Sequence, residues 1–136
     1  MPETTNLPSI DMRRSPLGRA RGLGSARAGS KHWWAQRLTA IALVPLTLWF
    51  IWSMLRLTDA SQADVADWLA SPVRLALLLA LIAATFHHLQ LGLQVVIEDY
   101  VPQEGVKLAA ILAVKALCIL LAMICAISAL ILGLGS

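Results

Sequence analysis

The chain has 136 residues, of which 58% are hydrophobic and only 14% are charged, and its mean hydropathy is +0.71. Those values exclude a water-soluble domain, whose surface would need roughly a quarter of the residues to be charged. The formal net charge of +3 comes mostly from the residues ahead of the first apolar run, and it points to anionic lipid headgroups or an acidic subunit surface as partners rather than to nucleic acid.

Seven of the eleven Lys and Arg residues precede that run: Arg13, Arg14, Arg19, Arg21, Arg27, Lys31 and Arg37. From Met12 to Arg37 there is no acid, and the stretches Ser15-Pro16-Leu17-Gly18 and Gly22-Leu23-Gly24-Ser25 are turn-forming. Residues 1–29 are therefore expected to form a basic cytoplasmic tail, mobile until docked, ahead of a transmembrane domain over 30–136. The Arg-rich stretch faintly resembles a mitochondrial transit peptide, but Glu3 and Asp11 argue against one.

Leu38 to Leu55 carries no charge and is long enough to cross a bilayer core at about 1.5 Å per residue, giving a helix expected at about 34–57. It begins too far into the chain, and ends in too bulky a sequence, to be a cleaved signal, so it is expected to stay in the mature protein. Pro45 removes a backbone hydrogen bond in mid-span and is expected to kink it. Trp33 and Trp34 before the span, and Trp49 and Trp52 near its far end, fit the two interfacial aromatic belts. The excess of Lys and Arg ahead of the span places the N-terminus in the cytoplasm of a bacterial inner membrane, with the matrix of a mitochondrion as the alternative, and the C-terminus on the opposite side.

The connection Thr58 to Ser71 then lies outside, where Val65, Trp68 and Leu69 share one face of a short surface helix and Asp64 and Asp67 face water. Ser71-Pro72 suits the start of a second span, expected at about 72–98, with serine as N-cap and proline in the first turn. A third span is expected at about 106–133, with Lys115 snorkelling toward the cytoplasmic side. Cys118 and Cys125 on it are roughly 10 Å apart along the axis, too far for a disulfide, and read as buried small hydrophobes. The fold class is all-α, a three-helix membrane protein.

The chemistry concentrates in the second span, where His87 and His88 interrupt an apolar run that ends in Asp99-Tyr100. Ionisable side chains in lipid are costly and mark a bundle interior, a cofactor or a pathway. Successive helical residues point about 100° apart, so the two histidines cannot face one flat cofactor, whereas Gly92 and Asp99 fall within about 40° of His88. Gly92 would let a porphyrin or a neighbouring helix approach closely. A neutral imidazole is a good axial ligand for haem iron, and an acceptor bonded to its other nitrogen would determine which nitrogen is free. Residue types alone leave haem ligation and a hydrogen bond between helices both open.

The pattern His88-Leu-Gln-Leu-Gly92 followed by Val-Ile-Glu-Asp99-Tyr100-Val101 resembles the second helix of the hydrophobic membrane anchor subunits of succinate dehydrogenase, respiratory complex II. His32-Trp-Trp-Ala-Gln-Arg37-Leu-Thr39-Ala40-Ile41 resembles the start of that family's first helix, and the likeness extends over about residues 30–135. It implies that His88 is one axial ligand of haem b, the second coming from a cytochrome b subunit. It implies that Tyr100 lies at the ubiquinone site and donates a hydrogen bond to a quinone carbonyl, with Asp99 orienting a basic residue of a neighbouring subunit. Arg37 and His32 would meet the haem propionates, and since the spacing between them is about a residue shorter than in bacterial members, the role falls on Arg37 before His32. FAD and the iron–sulfur clusters would reside only in the flavoprotein and iron–sulfur subunits, so no catalytic residue is expected in this chain. The alternatives are a haem-bearing anchor of another quinone-linked oxidoreductase and a cofactor-free structural membrane subunit.

Overall fold

In the computed structural model of this chain the described residues are 25–135, with side chains described from residue 29 onward. The chain divides into two units, Met1–Trp33 and Trp34–Ser136. Among the described residues there are four helices: α1 (Ser25–Arg56), α2 (Gln62–Leu69), α3 (Pro72–Tyr100) and α4 (Glu104–Leu134). Three stretches, Gly29–Arg56, Pro72–Tyr100 and Glu104–Leu134, are long and apolar enough to cross a membrane. The chain is thus an all-α, multi-pass membrane protein.

The leading helix begins at Ser25 rather than near residue 34. Ala26, Arg27, Ala28 and Lys31 are strong helix formers and no proline intervenes before Pro45, so a helix nucleated in the span propagates back through them. The tail expected over 1–29 lies, for residues 1–24, outside the described residues. At Pro45 the helix continues, although proline offers no N–H to the carbonyl one turn earlier.

The short surface helix forms where the spacing of Val65, Trp68 and Leu69 predicts it. Ser61 caps it with a reciprocal pair of bonds: its Oγ accepts from the Asp64 N–H at 3.3 Å, and its own N–H donates to Asp64 Oδ2 at 2.9 Å. The Ser61 hydroxyl also donates to Oδ2 at 2.7 Å, and these two donations hold the Asp64 carboxyl below the ordinary aspartate range. Asp64 and Asp67 are exposed, while Leu69 is 2% exposed. Leu69 packs with Leu75 and Ala129 into the buried cluster, flanked by Trp68, Leu78, Leu79, Ile82, Leu130 and Leu132.

Glycine makes this packing possible at Gly133, where a Cβ would stand 3.0 Å from the Leu69 carbonyl oxygen and 3.1 Å from its Cγ. Trp49 turns out to stack on Trp68, ring centroids 5.9 Å apart, rather than acting only as a belt residue. The Arg74 guanidinium lies 5.6 Å from the Trp68 ring centre and donates to the Trp68 carbonyl at 3.0 Å. α2 is thereby held against α1, α3 and α4 by apolar, aromatic and polar contacts together.

Ser71 and Pro72 start α3 as expected, but the serine hydroxyl makes no capping bond; its carbonyl accepts from the Leu75 N–H at 3.0 Å. α3 ends because Pro102 pushes Val101 into the extended conformation (φ −101°, ψ 106°). The three residues 101–103 then return the chain as α4, antiparallel to α3. Cys118 is buried as expected, whereas Cys125 is exposed, so the face they share is covered at one position and open at the other. Two hydroxyls within the spans are satisfied by the preceding turn: Ser53 Oγ donates to the Trp49 carbonyl and Ser128 Oγ to the Ile124 carbonyl, both at 2.8 Å.

Candidate functional site

α1 meets α3 through polar groups that their sequences space one turn apart. Thr39 Oγ1 lies 3.0 Å from His88 Nδ1, and a Cβ built on Gly92 would lie 3.7 Å from Gln36 Nε2. Thr39 pairs with His88 and Gln36 with Gly92, so rising numbers on one helix match falling numbers on the other, as an antiparallel pair requires. Gly92 therefore opens space for the neighbouring helix, at an ordinary van der Waals distance.

Thr39 carries the seam's best-defined hydrogen bonds. Its Oγ1 is 2.8 Å from the Ala35 carbonyl and 3.1 Å from the Gln36 carbonyl in the preceding turn, besides the contact with His88. A polar bond between membrane helices averages about 0.6 kcal/mol, so this one contributes little to bundle stability and more to where the imidazole points. His88 is half-buried and, among the described residues, its ring is bonded only at Nδ1. The Gln36 Oε1 atom is buried without a hydrogen-bond partner among them.

His87 goes elsewhere, as the 100° step per residue requires. It is exposed and lines a shallow groove of about 140 Å³ with Phe86, Gln90, Cys118 and Ile119. The two histidines thus serve different faces, and only His88 lies in the polar seam. Among the described residues no three His, Cys, Asp or Glu side chains come together as a metal-binding group.

Arg37 is exposed and lies two residues before Thr39, roughly 3 Å lower along α1. His32, in the first unit, is half-buried, and its Nε2 is buried with no hydrogen-bond partner among the described residues. Asp99 and Tyr100 form the exposed end of α3, with Tyr100 81% exposed, and twelve residues of helix put Tyr100 roughly 18 Å along the axis from His88. Asp99 therefore belongs to the open end of the helix, away from the seam that holds His88 and Gly92. Beside them Gln94 Nε2 donates to Glu98 Oε1 at 2.8 Å. Sequence reasoning singled out neither this pair nor Thr39 as His88's partner. The four-residue spacing signals the first, and only the α1–α3 register reveals the second.

The profile of the succinate dehydrogenase/fumarate reductase transmembrane subunit family matches residues 11–122. A succinate dehydrogenase hydrophobic membrane anchor subunit from Rickettsia bellii (strain RML369-C) is 39% identical over 108 residues, which cover 79% of this chain and 86% of that one. The subunit of the same name from Paracoccus denitrificans is 32% identical over 98 residues, covering 72% and 75% of the two chains. A succinate dehydrogenase membrane anchor subunit from Reclinomonas americana is 28% identical over 96 residues, 68% of this chain and 80% of the relative. No solved structure matches the chain. The family match and these relatives extend over most of the chain, including the α1–α3 seam, and the chain belongs to the family of succinate dehydrogenase/fumarate reductase transmembrane subunits, among the hydrophobic membrane anchors.

Proposed function

We propose that this chain docks the flavoprotein and iron–sulfur subunits of a succinate:ubiquinone oxidoreductase to the membrane, shares haem b with a cytochrome b subunit, and helps to form the ubiquinone reduction site. The observation that carries the reading is the half-buried His88, deep within an apolar span, with one ring nitrogen engaged by Thr39 and no hydrogen bond at the other among the described residues. With one ring nitrogen held and the other open, His88 would hold a haem iron through the open nitrogen. Bound there, haem b would supply a one-electron centre.

The chain's own residues have separate tasks in this reading. His88 presents an imidazole nitrogen at mid-span. Arg37, close below that level on α1, offers a planar guanidinium suited to a propionate carboxylate, and His32 is the weaker candidate for the same group. Tyr100 offers a phenol O–H that donates a hydrogen bond to a quinone carbonyl that gains electron density. Asp99 next to it orients a basic side chain of a neighbouring subunit. With the basic residues before α1 on the cytoplasmic side, two further crossings leave Tyr100 on that same side, so the quinone takes its protons from there. The membrane is a bacterial inner membrane.

The hydrogen bond between helices also suits a cofactor-free histidine, and one measurement separates the two. The complex purified through this chain is expected to give a b-type signal in its dithionite-reduced minus oxidised spectrum, lost or shifted in His88→Ala. A signal indifferent to that substitution moves the ligand away from His88, and the absence of any signal removes the haem role.

A further inference from the structure

We infer that Thr39 is the positioning residue that sets the tautomer of His88, holding the proton on Nδ1 so that Nε2 keeps its lone pair for a metal. The inference rests on the proposed haem role of His88 and assigns a task to a residue on a different helix. A threonine hydroxyl has a single proton. Its oxygen stands 2.8 Å from the Ala35 carbonyl oxygen and 3.1 Å from that of Gln36, and a carbonyl can only accept. Two oxygens 2.8 Å apart with no proton between them repel, so the hydroxyl proton is spent on the preceding turn.

What remains on Oγ1 is a lone pair, 3.0 Å from His88 Nδ1, the usual length of an N–H···O bond. The imidazole must therefore donate from Nδ1, which leaves Nε2 unprotonated. The reverse tautomer would place a proton on Nε2, where no iron could bind, and would set two lone pairs against each other at the seam. The branched threonine is stiff at χ1, and its bond to the preceding turn restrains it further, so the acceptor holds its direction. Accepting the Nδ1–H hydrogen bond would also strengthen electron donation from Nε2 to a bound metal, which favours the ferric over the ferrous state of a haem.

The test uses the intact complex purified through this chain, with Thr39→Ser, Thr39→Ala and Thr39→Val beside His88→Ala. The readouts are haem per complex and the midpoint potential, followed by redox titration of the reduced haem band. Thr39→Ser, which keeps the oxygen, is expected to retain both. Thr39→Ala and Thr39→Val are expected to weaken ferric haem binding about tenfold relative to ferrous, the lower end of what loss of a ligand's hydrogen-bond partner does, which is a positive shift of about 59 mV for one electron. Complete haem loss in Thr39→Ala with Thr39→Ser still loaded also supports the role, since the two differ by one oxygen. Potentials unchanged in Thr39→Ala and Thr39→Val, or equal loss in Thr39→Ser and Thr39→Ala, would overturn it. A haem signal that depends on His88 but not on Thr39 refutes only this inference, whereas one indifferent to His88 refutes the haem-ligand reading as well.

Discussion

Replacing Tyr100 by phenylalanine removes one oxygen from a side chain that is 81% exposed at the end of α3. The phenol makes no hydrogen bond within the described chain, so the helix loses nothing and the substitution isolates whatever the hydroxyl does for another molecule. A neutral hydrogen bond to a ground-state carbonyl contributes about 0.5–1.5 kcal/mol, or roughly 2- to 13-fold. A donor to an oxygen that is gaining charge contributes more, with losses of about 10² or above when such a donor is removed from a closed site. The exposed position argues against the full closed-site value, so quinone reduction is expected to fall roughly 5- to 100-fold. The assay compares succinate-driven reduction of ubiquinone with succinate-driven reduction of an artificial acceptor that takes electrons before the membrane subunits. The first rate should fall while the second is retained. Equal loss of both would mean that the substitution disturbs docking of the soluble subunits, and retention of both would remove Tyr100 from the quinone site.

Gly133→Ala places a methyl 3.0 Å from the Leu69 carbonyl oxygen, and helix backbones cannot yield cheaply there, so α2 should be displaced at an overpacking cost of about 1–3 kcal/mol. The readout is a lower thermal midpoint of the detergent-solubilised complex with an unchanged haem spectrum, and an unchanged midpoint would show that α2 is not held against α4 as described. Asp64 gives the pH prediction: its folded-state carboxyl titrates below the unfolded one, so its contribution to α2 is present above the ordinary aspartate value and is lost as pH falls through the lowered one. Amide protection of Asp64 and Val65, corrected for intrinsic exchange, should fall over that acidic window in the native chain and be low at every pH in Asp64→Ala.

The spans are legible because charge-free runs of membrane length have one physical solution, and the α2 helix is legible because Val65, Trp68 and Leu69 recur at helical spacing on the face opposite two exposed acids, Asp64 and Asp67. The separation of His87 from His88 follows from helix geometry alone. The start of α1 at Ser25 is not legible, since a basic, glycine-containing segment reads as tail until the helix behind it is allowed to propagate. The partner of His88 is hidden for a different reason. In lipid the outward face of a helix is as apolar as its inward face, so hydrophobic periodicity does not give the rotation of α1 against α3. Trp49 shows the same limit, because its stacking partner depends on α2 folding back over the bundle end.

Two sets of polar groups in the spans bear on where other molecules belong. Thr39, Ser53 and Ser128 are satisfied within the chain, each donating to a carbonyl one turn back, and at the α2 end Leu69, Leu75 and Ala129 close a buried cluster. His87, Lys115, Asp99 and Tyr100 are exposed, none with a hydrogen bond to the rest of the described chain. Water meets such groups at no cost in a soluble protein, but in or beside a bilayer their partners must be headgroups, cofactors, substrate or other subunits. Tyr100 and Asp99 stand at the end of α3 remote from the closed α2 cluster, where a headgroup-level ligand can reach them. His87 and Lys115 lie on lateral faces and suit a neighbouring helix. The α2 end is thus closed by contacts within the chain, and the open end is where the proposed quinone chemistry and the proposed contacts with partner subunits would converge.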